Sequence, residues 1–354
     1  MTRRLCRGAE TLQPAVILLR GRMSVETTFR IALLSILLTS ILAQHCVPGE
    51  NCKLPNCRCW DDPKAPGGFG TPDIPQIIIV SFQYGVNSAN INNYTQLFAG
   101  LKNSNNCPAR ASFYVTESNT QFEYPRQLFS QGHEVGVSTI NVSRPTTTKE
   151  WADNFSEVKD KLVQAGIPKA KVLGARAPEL VFGGTNQVEG MRSKYLDLQY
   201  DSSCLNTKYD MGNYLWPYTF DFVQNLPECT SGVKLNQSFP GVWEFPVADL
   251  QFQGLKCAAP SGCSTLIKTE KDAFDLFFNA FSLHYNQRTR PPFMMFIDPN
   301  WVTSSKQVRG TKQFLQFVAA AFEDTWIITT QQAMAWIKQP VPASQAAKFG
   351  PWGC

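Results

Sequence analysis

The stretch Ile77–Asn87, IIIVSFQYGVN, decides the fold. Three isoleucines and a valine follow one another without a polar break, as in a strand covered on both faces in a parallel sheet. The run turns polar at Gln83 and Tyr84 and then reaches Gly85. In α/β barrels the side chains at the C-terminal end of such a strand usually carry the chemistry. Gln83 does not titrate and a tyrosine phenol titrates near pH ~10, so neither is a base or a good metal ligand at neutral pH.

Outward from this strand the pattern alternates. Further strands are predicted at 110–116, 133–138, 172–177, 198–203, 242–248, 292–297 and 325–330. Helices are predicted at 147–165, 269–285, 305–322 and 331–338, the first with Trp151, Phe155, Val158 and Leu162 on one apolar face. Seven or eight β/α alternations in a chain of this length favour a distorted, TIM-like (β/α)7–8 barrel over an open doubly wound sheet. The barrel is expected over 76–340, after a Cys-, Pro- and Gly-rich segment (44–75) and before a tail (341–354) ending in Cys354. The region 204–264 breaks the rhythm with four Cys and several Pro, the composition of loop insertions stapled by disulfides.

Ahead of all this, Ile31–Ala43 (IALLSILLTSILA) is an apolar run preceded by Arg30. It is short for a bilayer span and has the length of a signal-peptide core, with Ala43 at a plausible cleavage point. The expectation is a signal peptide over 1–43, its first 22 residues an extension upstream of Met23, with a retained anchor as the alternative. Six Arg and two Glu leave with it, so 27 basic residues face 26 acidic ones and the formal +5 nearly vanishes. Nothing in that balance supports nucleic-acid binding.

Ten cysteines remain beyond Cys6: Cys46, Cys52, Cys57, Cys59, Cys107, Cys204, Cys229, Cys257, Cys263 and Cys354. An even count behind a signal peptide implies five disulfides, whose pairing the sequence leaves open. A zinc reading of Cys57-Arg-Cys59 lacks a second Cys/His pair at suitable spacing. Sequons at Asn93, Asn141, Asn154 and Asn236 fit the same secretory route. A secreted, extracellular protein with no membrane contact after cleavage is expected.

The ordered segments CKLPNCRC, PGGFGTPDIPQIIIVSF, GHEVGVS, GARAPEL, GGTNQ, YDSS, WPYTFD, VWEFP and NQRTRPPF resemble the polysaccharide deacetylase family, in particular its secreted animal chitin deacetylases. The resemblance covers about residues 50–340 and implies a barrel of that family's type. In that family the first strand ends in Phe-Asp-Asp, a general base followed by a ligand to zinc or a similar divalent metal. Aligned on Phe82, these positions are Gln83 and Tyr84. The third strand carries His-Ser/Thr-x-x-His, which the alignment on GHEV places at Ser138 and Asn141. A late strand supplies a general-acid His, here Asp298. All five positions are replaced, so no metal, cofactor or catalytic residue is expected.

The consequence is large. Bound metal lowers the pKa of water from about 15.7 to about 7, worth on the order of 10 kcal/mol at about 1.4 kcal/mol per unit. General acid–base help, about 10²–10⁴ in rate, goes with the Asp and His. Hydroxyls and an amide make a poor zinc site, and a glycan on Asn141 would plug the groove.

Arg176 is the family position that pairs with the base Asp. Here it is a candidate donor to Gln83 or to a ligand carbonyl, with a scaffold pairing to Glu179 or Asp201 as the plainer reading. Asp201, His133 and His284 read as structural support. Trp216, Tyr218, Trp243 and Trp301 lie in segments that flank the family's substrate groove. At least one of them, with Trp301 favoured, is expected to face a sugar, although large aromatics more often fill cores.

The leading expectation is a catalytically inactive, chitin-deacetylase-like protein. It would bind chitin or a related N-acetylglucosamine polymer, or organise a chitinous matrix with matrix proteins as partners. Only four cysteines precede the barrel, so a six-cysteine chitin-binding module is not expected. The alternatives are an active deacetylase rebuilt around Asp298 or Asp201 with Tyr84, and a protein-interaction scaffold without a sugar ligand.

Overall fold

A computed structural model describes residues 45–354 except 194, 207–213, 225, 227, 228 and 230. The expected signal peptide, its cleavage point and the extension before Met23 lie outside the described residues. Residues 46–354 form one compact unit, and no helix among the described residues is long and apolar enough to cross a membrane.

The strands are β1 (Gln76–Gln83), β2 (Ala111–Val115), β3 (Glu134–Val137), β4 (Gly174–Ala175), β5 (Tyr200–Asp201), β6 (Leu205–Asn206) and β7 (Tyr218–Phe220). They continue with β8 (Phe239–Glu244), β9 (Val247–Ala248), β10 (Leu250–Phe252), β11 (Leu255–Cys257), β12 (Phe293–Ile297) and β13 (Thr325–Ile327). Nine of them form one sheet in the order β12-β1-β2-β3-β4-β5-β8-β7, with β13 paired to β1. Every pairing in it is parallel except β7 with β8. Among the described residues the ladder does not close; β9 packs against β12 across the gap. This is the expected distorted barrel, with two-residue strands at β4 and β5 and an antiparallel edge that the sequence did not announce. The region 204–264 holds six of these strands besides its two disulfides, so it is more structured than loop insertions.

The helices are α1 (Ile91–Phe98), α2 (Glu123–Ser130), α3 (Thr148–Gln164), α4 (Gly184–Met191), α5 (Glu270–Asn286), α6 (Pro299–Val302), α7 (Ser305–Ala321), α8 (Thr330–Lys338) and α9 (Ala343–Ala346). Capping boxes open three of the four that were predicted: Thr147 with Glu150, Thr269 with Asp272, and Thr329 with Gln332. Each satisfies two backbone N–H groups that the first turn leaves without partners.

The period-two rule divides β1 between two cores. Ile78, Val80 and Phe82 pack outward with Val158, Leu162, Phe277 and Phe314 of the helices. Ile77 and Ile79 point inward with Tyr114, Tyr200, Trp243, Met294 and Trp326. Phe113 and Tyr114, or Met295 and Met294, divide in the same way on β2 and β12. The interior is thus filled with side chains, as in closed α/β barrels. Gly174 is required on β4, because a Cβ there would come within 2.1 Å of the Tyr200 ring.

Disulfides join Cys46–Cys59, Cys52–Cys57, Cys107–Cys354, Cys204–Cys229 and Cys257–Cys263. The C-terminal tail is no loose end. Trp352 is buried 5.0 Å from Trp326, centroid to centroid, and its indole N–H donates to Gln332 O at 2.9 Å. Cys107–Cys354 ties that tail to the segment before β2 across 247 residues. Replacing both cysteines by Ser is expected to lower unfolding stability by about 2–5 kcal/mol, measured as a lower denaturant midpoint.

Candidate functional site

The inward row of β1 runs Ile77, Ile79, Ser81, Gln83, so it turns from apolar to polar toward its C-terminal end. Register places its neighbours beside it: Gln83 opposite Tyr114, Val137 opposite Ala175, Ala175 opposite Asp201, and Asp201 opposite Glu244. Gln83, Ser138, Arg176, Asp201, Glu244 and Asp298 therefore gather at one end of the sheet, and all six are buried.

Gln83 is committed to the scaffold. Its Nε2 donates to Ser138 Oγ at 3.0 Å and to Ala177 O at 2.9 Å, and Ser138 Oγ donates to Arg176 O at 2.9 Å. Tyr84 has a left-handed backbone, φ 85°, uncommon for a bulky residue. Its N–H donates to Tyr114 O, and its hydroxyl accepts from Glu179 N–H at 3.1 Å. Burial raises the phenol pKa further, so it stays protonated near neutral pH. Glu179 and Leu180 are also left-handed, φ 55° and 57°. Glu179 forms an exposed ion pair with Arg144 from the loop after β3. Beneath this lid, the space of about 130 Å³ among Phe82, Gln83, Tyr84, Tyr94 and Tyr114 admits no water-sized sphere.

Arg176 pairs neither with Gln83 nor with Glu179. Its Nε donates to Ser202 O at 2.7 Å, Nη1 to Ser81 Oγ at 2.9 Å and Nη2 to Ser202 Oγ at 2.8 Å. The guanidinium lies 4.2 Å from the Tyr114 ring centroid and 5.3 Å from that of Phe296. It is buried without solvent access, so no ligand carbonyl reaches it.

Asp201 accepts from Gln187 Nε2 at 2.6 Å and from Ser203 N–H and Oγ–H. Glu244, which the sequence analysis did not single out, is the second acid of this interior and accepts from Cys204 N–H at 3.0 Å. Burial raises the pKa of both acids, and the neighbouring charge of Asp201 raises that of Glu244 further.

The other positions that the resemblance singles out do not converge on a metal. Both oxygens of Asp298 accept backbone N–H groups, Asn300 at 3.0 Å as the cap of α6 and Ser261 at 3.3 Å. Asn141 is exposed, and its Oδ1 accepts from Ser143 N–H within its own turn. One alignment needs correction. The spacing His-Ser/Thr-x-x-His, counted from Ser138, ends at Val142 rather than Asn141, so a glycan on Asn141 would sit beside the ligand position. Val142 is 60% exposed and has no donor atom to offer a metal. Tyr84, Ser138 and Val142 thus supply no carboxylate and no imidazole, and a zinc ion does not fit them. Among the described residues the one grouping of metal-ligating side chains is Cys46, Cys52 and Cys59, all held in disulfides.

The expected sugar-facing aromatics are all buried. Trp216 donates to Thr289 O and stacks on Trp336; Trp243 lies in the inner core. Tyr218 packs edge-on against Phe220, and Trp301 donates to Thr311 Oγ1 while packing edge-on against Phe277. None presents a ring face to solvent, which corrects the expectation, Trp301 included. Their burial follows from the two-core packing, which uses the largest side chains on both sides of the sheet.

Of the sequons, Asn141 and Asn236 are exposed. Asn93 and Asn154 are half-buried, and their amide nitrogens donate to Val302 O and Glu150 O. His133 and His284 are structural: His133 Nδ1 accepts from Ala111 N–H, and His284 stacks on Tyr214 at 3.7 Å.

A scan against protein-family profiles finds no match. The chain is 30% identical over 307 residues to chitin deacetylase 8 of Bombyx mori, covering 83% of this chain and 78% of that one. It is 26% identical over 327 residues to chitin deacetylase 1 of Bombyx mori, covering 86% of this chain and 58% of that longer protein. Among solved structures, a Mycobacterium smegmatis protein assigned as a polysaccharide deacetylase matches with TM-score 0.53 at 14% identity, covering 78% of this chain and 94% of that one. PuuE allantoinase matches with TM-score 0.51 at 12% identity, covering 79% and 95%. At these identities the two structures support the fold alone.

The buried titrating groups pull stability in opposite directions. Burial holds His133 down at about 4 and His284 at about 3. The unfolded chain takes up these protons from about pH 6.5 downward and the folded chain does not, so acidification costs stability across that window. Glu244 and Asp201, raised by burial, keep protons that the unfolded chain has released, so acidification restores stability at their site. Glu134, also raised by burial, acts in the same direction as these two acids. Glu244→Gln removes one of the groups that offset the histidines, so its Tm is expected to fall more steeply from pH 7 to pH 4 than that of the wild type, measured in paired thermal melts.

Proposed function

The chain belongs to the chitin deacetylase family of polysaccharide deacetylases, and from that membership we propose that it is a non-hydrolytic, extracellular member that binds N-acetylglucosamine polymers. One observation carries the loss of hydrolysis: the family's catalytic positions hold side chains already consumed by the scaffold. Gln83 bonds to Ser138 and Ala177, the Tyr84 hydroxyl to Glu179 N–H, and Asp298 to two backbone N–H groups. Deacetylation of an amide needs a water made nucleophilic and a proton delivered to the leaving amine. Among the described residues at this end of the sheet, the side chains at the aligned positions are bonded elsewhere and are not placed to do either. Asp201, the other acid considered for a rebuilt site, is sealed from solvent by Gln187, Ser203 and Glu244.

The extracellular assignment is supported by five disulfides, which persist only in oxidising compartments. The polymer assignment is supported by similarity to two proteins named chitin deacetylases. Binding without turnover, to chitin or within a chitinous matrix, is the function that remains when the fold persists and the reacting groups do not. Glycans on the exposed Asn141 and Asn236 fit the same route.

The purified chain, incubated with chito-oligosaccharides and added zinc or cobalt, is expected to release no acetate above a heat-killed control while still being retained on chitin. Acetate well above that control, or one tightly held zinc per chain lost on Tyr84→Ala, would overturn the proposal.

A further inference from the structure

Burial of the four expected sugar-stacking aromatics moves the question of polymer contact to another surface. Of the aromatic side chains described, Tyr195 is the most exposed, at 71%. It stands between α4 and β5, just before the N-terminal end of β5 and therefore at the end of the sheet opposite Gln83 and Tyr84.

A cavity of about 410 Å³ opens in the same loop, lined by Arg192, Ser193, Asp197 and Gln199 and by Gly241 and Val242 of β8. Arg192 is fixed at its rim, with Nη1 donating to Pro240 O at 2.7 Å. Asp197 is held in a left-handed turn, φ 47°. Among the described residues the side chains of Ser193 and Gln199 form no hydrogen bond, and the carboxylate of Asp197 acts on Lys159 through its charge alone, so a hydroxyl, an amide and a carboxylate keep hydrogen-bonding capacity together. Gly241 leaves its side of the opening clear, for a Cβ there would meet nothing within 4 Å.

We propose that Tyr195 and this cavity form a surface subsite for one or two pyranose units of an uncharged N-acetylglucosamine polymer, a proposal that rests on the polymer-binding reading above. A pyranose ring has an apolar C–H face that packs on an aromatic face, and its edge carries donors and acceptors in the ring plane. Carboxylate, amide and guanidinium groups match that edge as acceptor, as both, and as donor. The lining carries one charge of each sign, Arg192 and Asp197, which suits a neutral sugar better than an acidic or basic one. The volume lies within the range of small-ligand sites, roughly 300–1,000 Å³.

The test is calorimetric titration of the full chain with tetra-N-acetylchitotetraose, comparing wild type, Tyr195→Ala, and Ser193→Ala with Gln199→Ala. Both variants are expected to weaken binding about tenfold, with Tm unchanged because the altered side chains are at the surface. Full-strength binding by both variants overturns the subsite and leaves the polymer-binding reading standing. No binding by the wild-type chain overturns both.

Discussion

The guanidinium of Arg176 is buried completely, and a charge taken out of water must be compensated where it lies. Three kinds of partner do this. Ser81 and Ser202 oxygens accept its N–H groups, the faces of Tyr114 and Phe296 flank its plane, and the buried acids Asp201 and Glu244 act on it through space. The serines pass the constraint on: Ser81 donates to Met295 O on β12 at 2.7 Å, and Ser202 to Phe245 O after β8 at 2.9 Å. Four strands of the sheet are thereby held at fixed spacing by one cation. Removing one side of such a buried balance typically costs about 3–5 kcal/mol.

That balance also gives a physical sense to Gln83. A carboxylate at this position would add a further acid to an interior that already buries Glu134, Asp201 and Glu244. The amide is nearly the same shape, carries no charge, and supplies the Nε2 donor that Ser138 Oγ and Ala177 O accept. Tyr84 then covers the end of the strand, its hydroxyl serving Glu179 N–H and its ring joining a gap too narrow for water. Gln83, Tyr84 and their partners form one self-consistent packing.

The strands and long helices were legible because their signals are local. The run Ile77–Val80, the spacing of Trp151, Phe155, Val158 and Leu162, and the Thr-x-x-Glu box at Thr147 each need only a few neighbouring residues to be read. Helices α1, α2 and α4 were missed; each is eight residues long and begins without a side-chain cap, so tertiary packing supplies what the sequence does not announce. The antiparallel β7 and the two-residue strands depend on partners more than 20 residues away. The site was half legible. Motif spacing located Gln83, Ser138 and Asp298, but which side of the sheet a tryptophan occupies is a three-dimensional fact. Glu244 carried one signal that went unused: it is an acid inside an otherwise apolar strand, VWEFP, where burial demands a partner.

The two ends of the barrel therefore face different physical tasks. At the C-terminal end the side chains of Gln83, Tyr84, Ser138, Arg176 and Asp298 bond to the scaffold, which ties the strand ends together. At the opposite end, Tyr195 and the groups around it are paired mainly with solvent. A shallow subsite of one ring and three polar groups gives modest affinity by itself. A polymer presents the same unit again within a few ångströms, and rebinding along it raises retention without a new contact. Such binding needs no deep cleft and no reacting group.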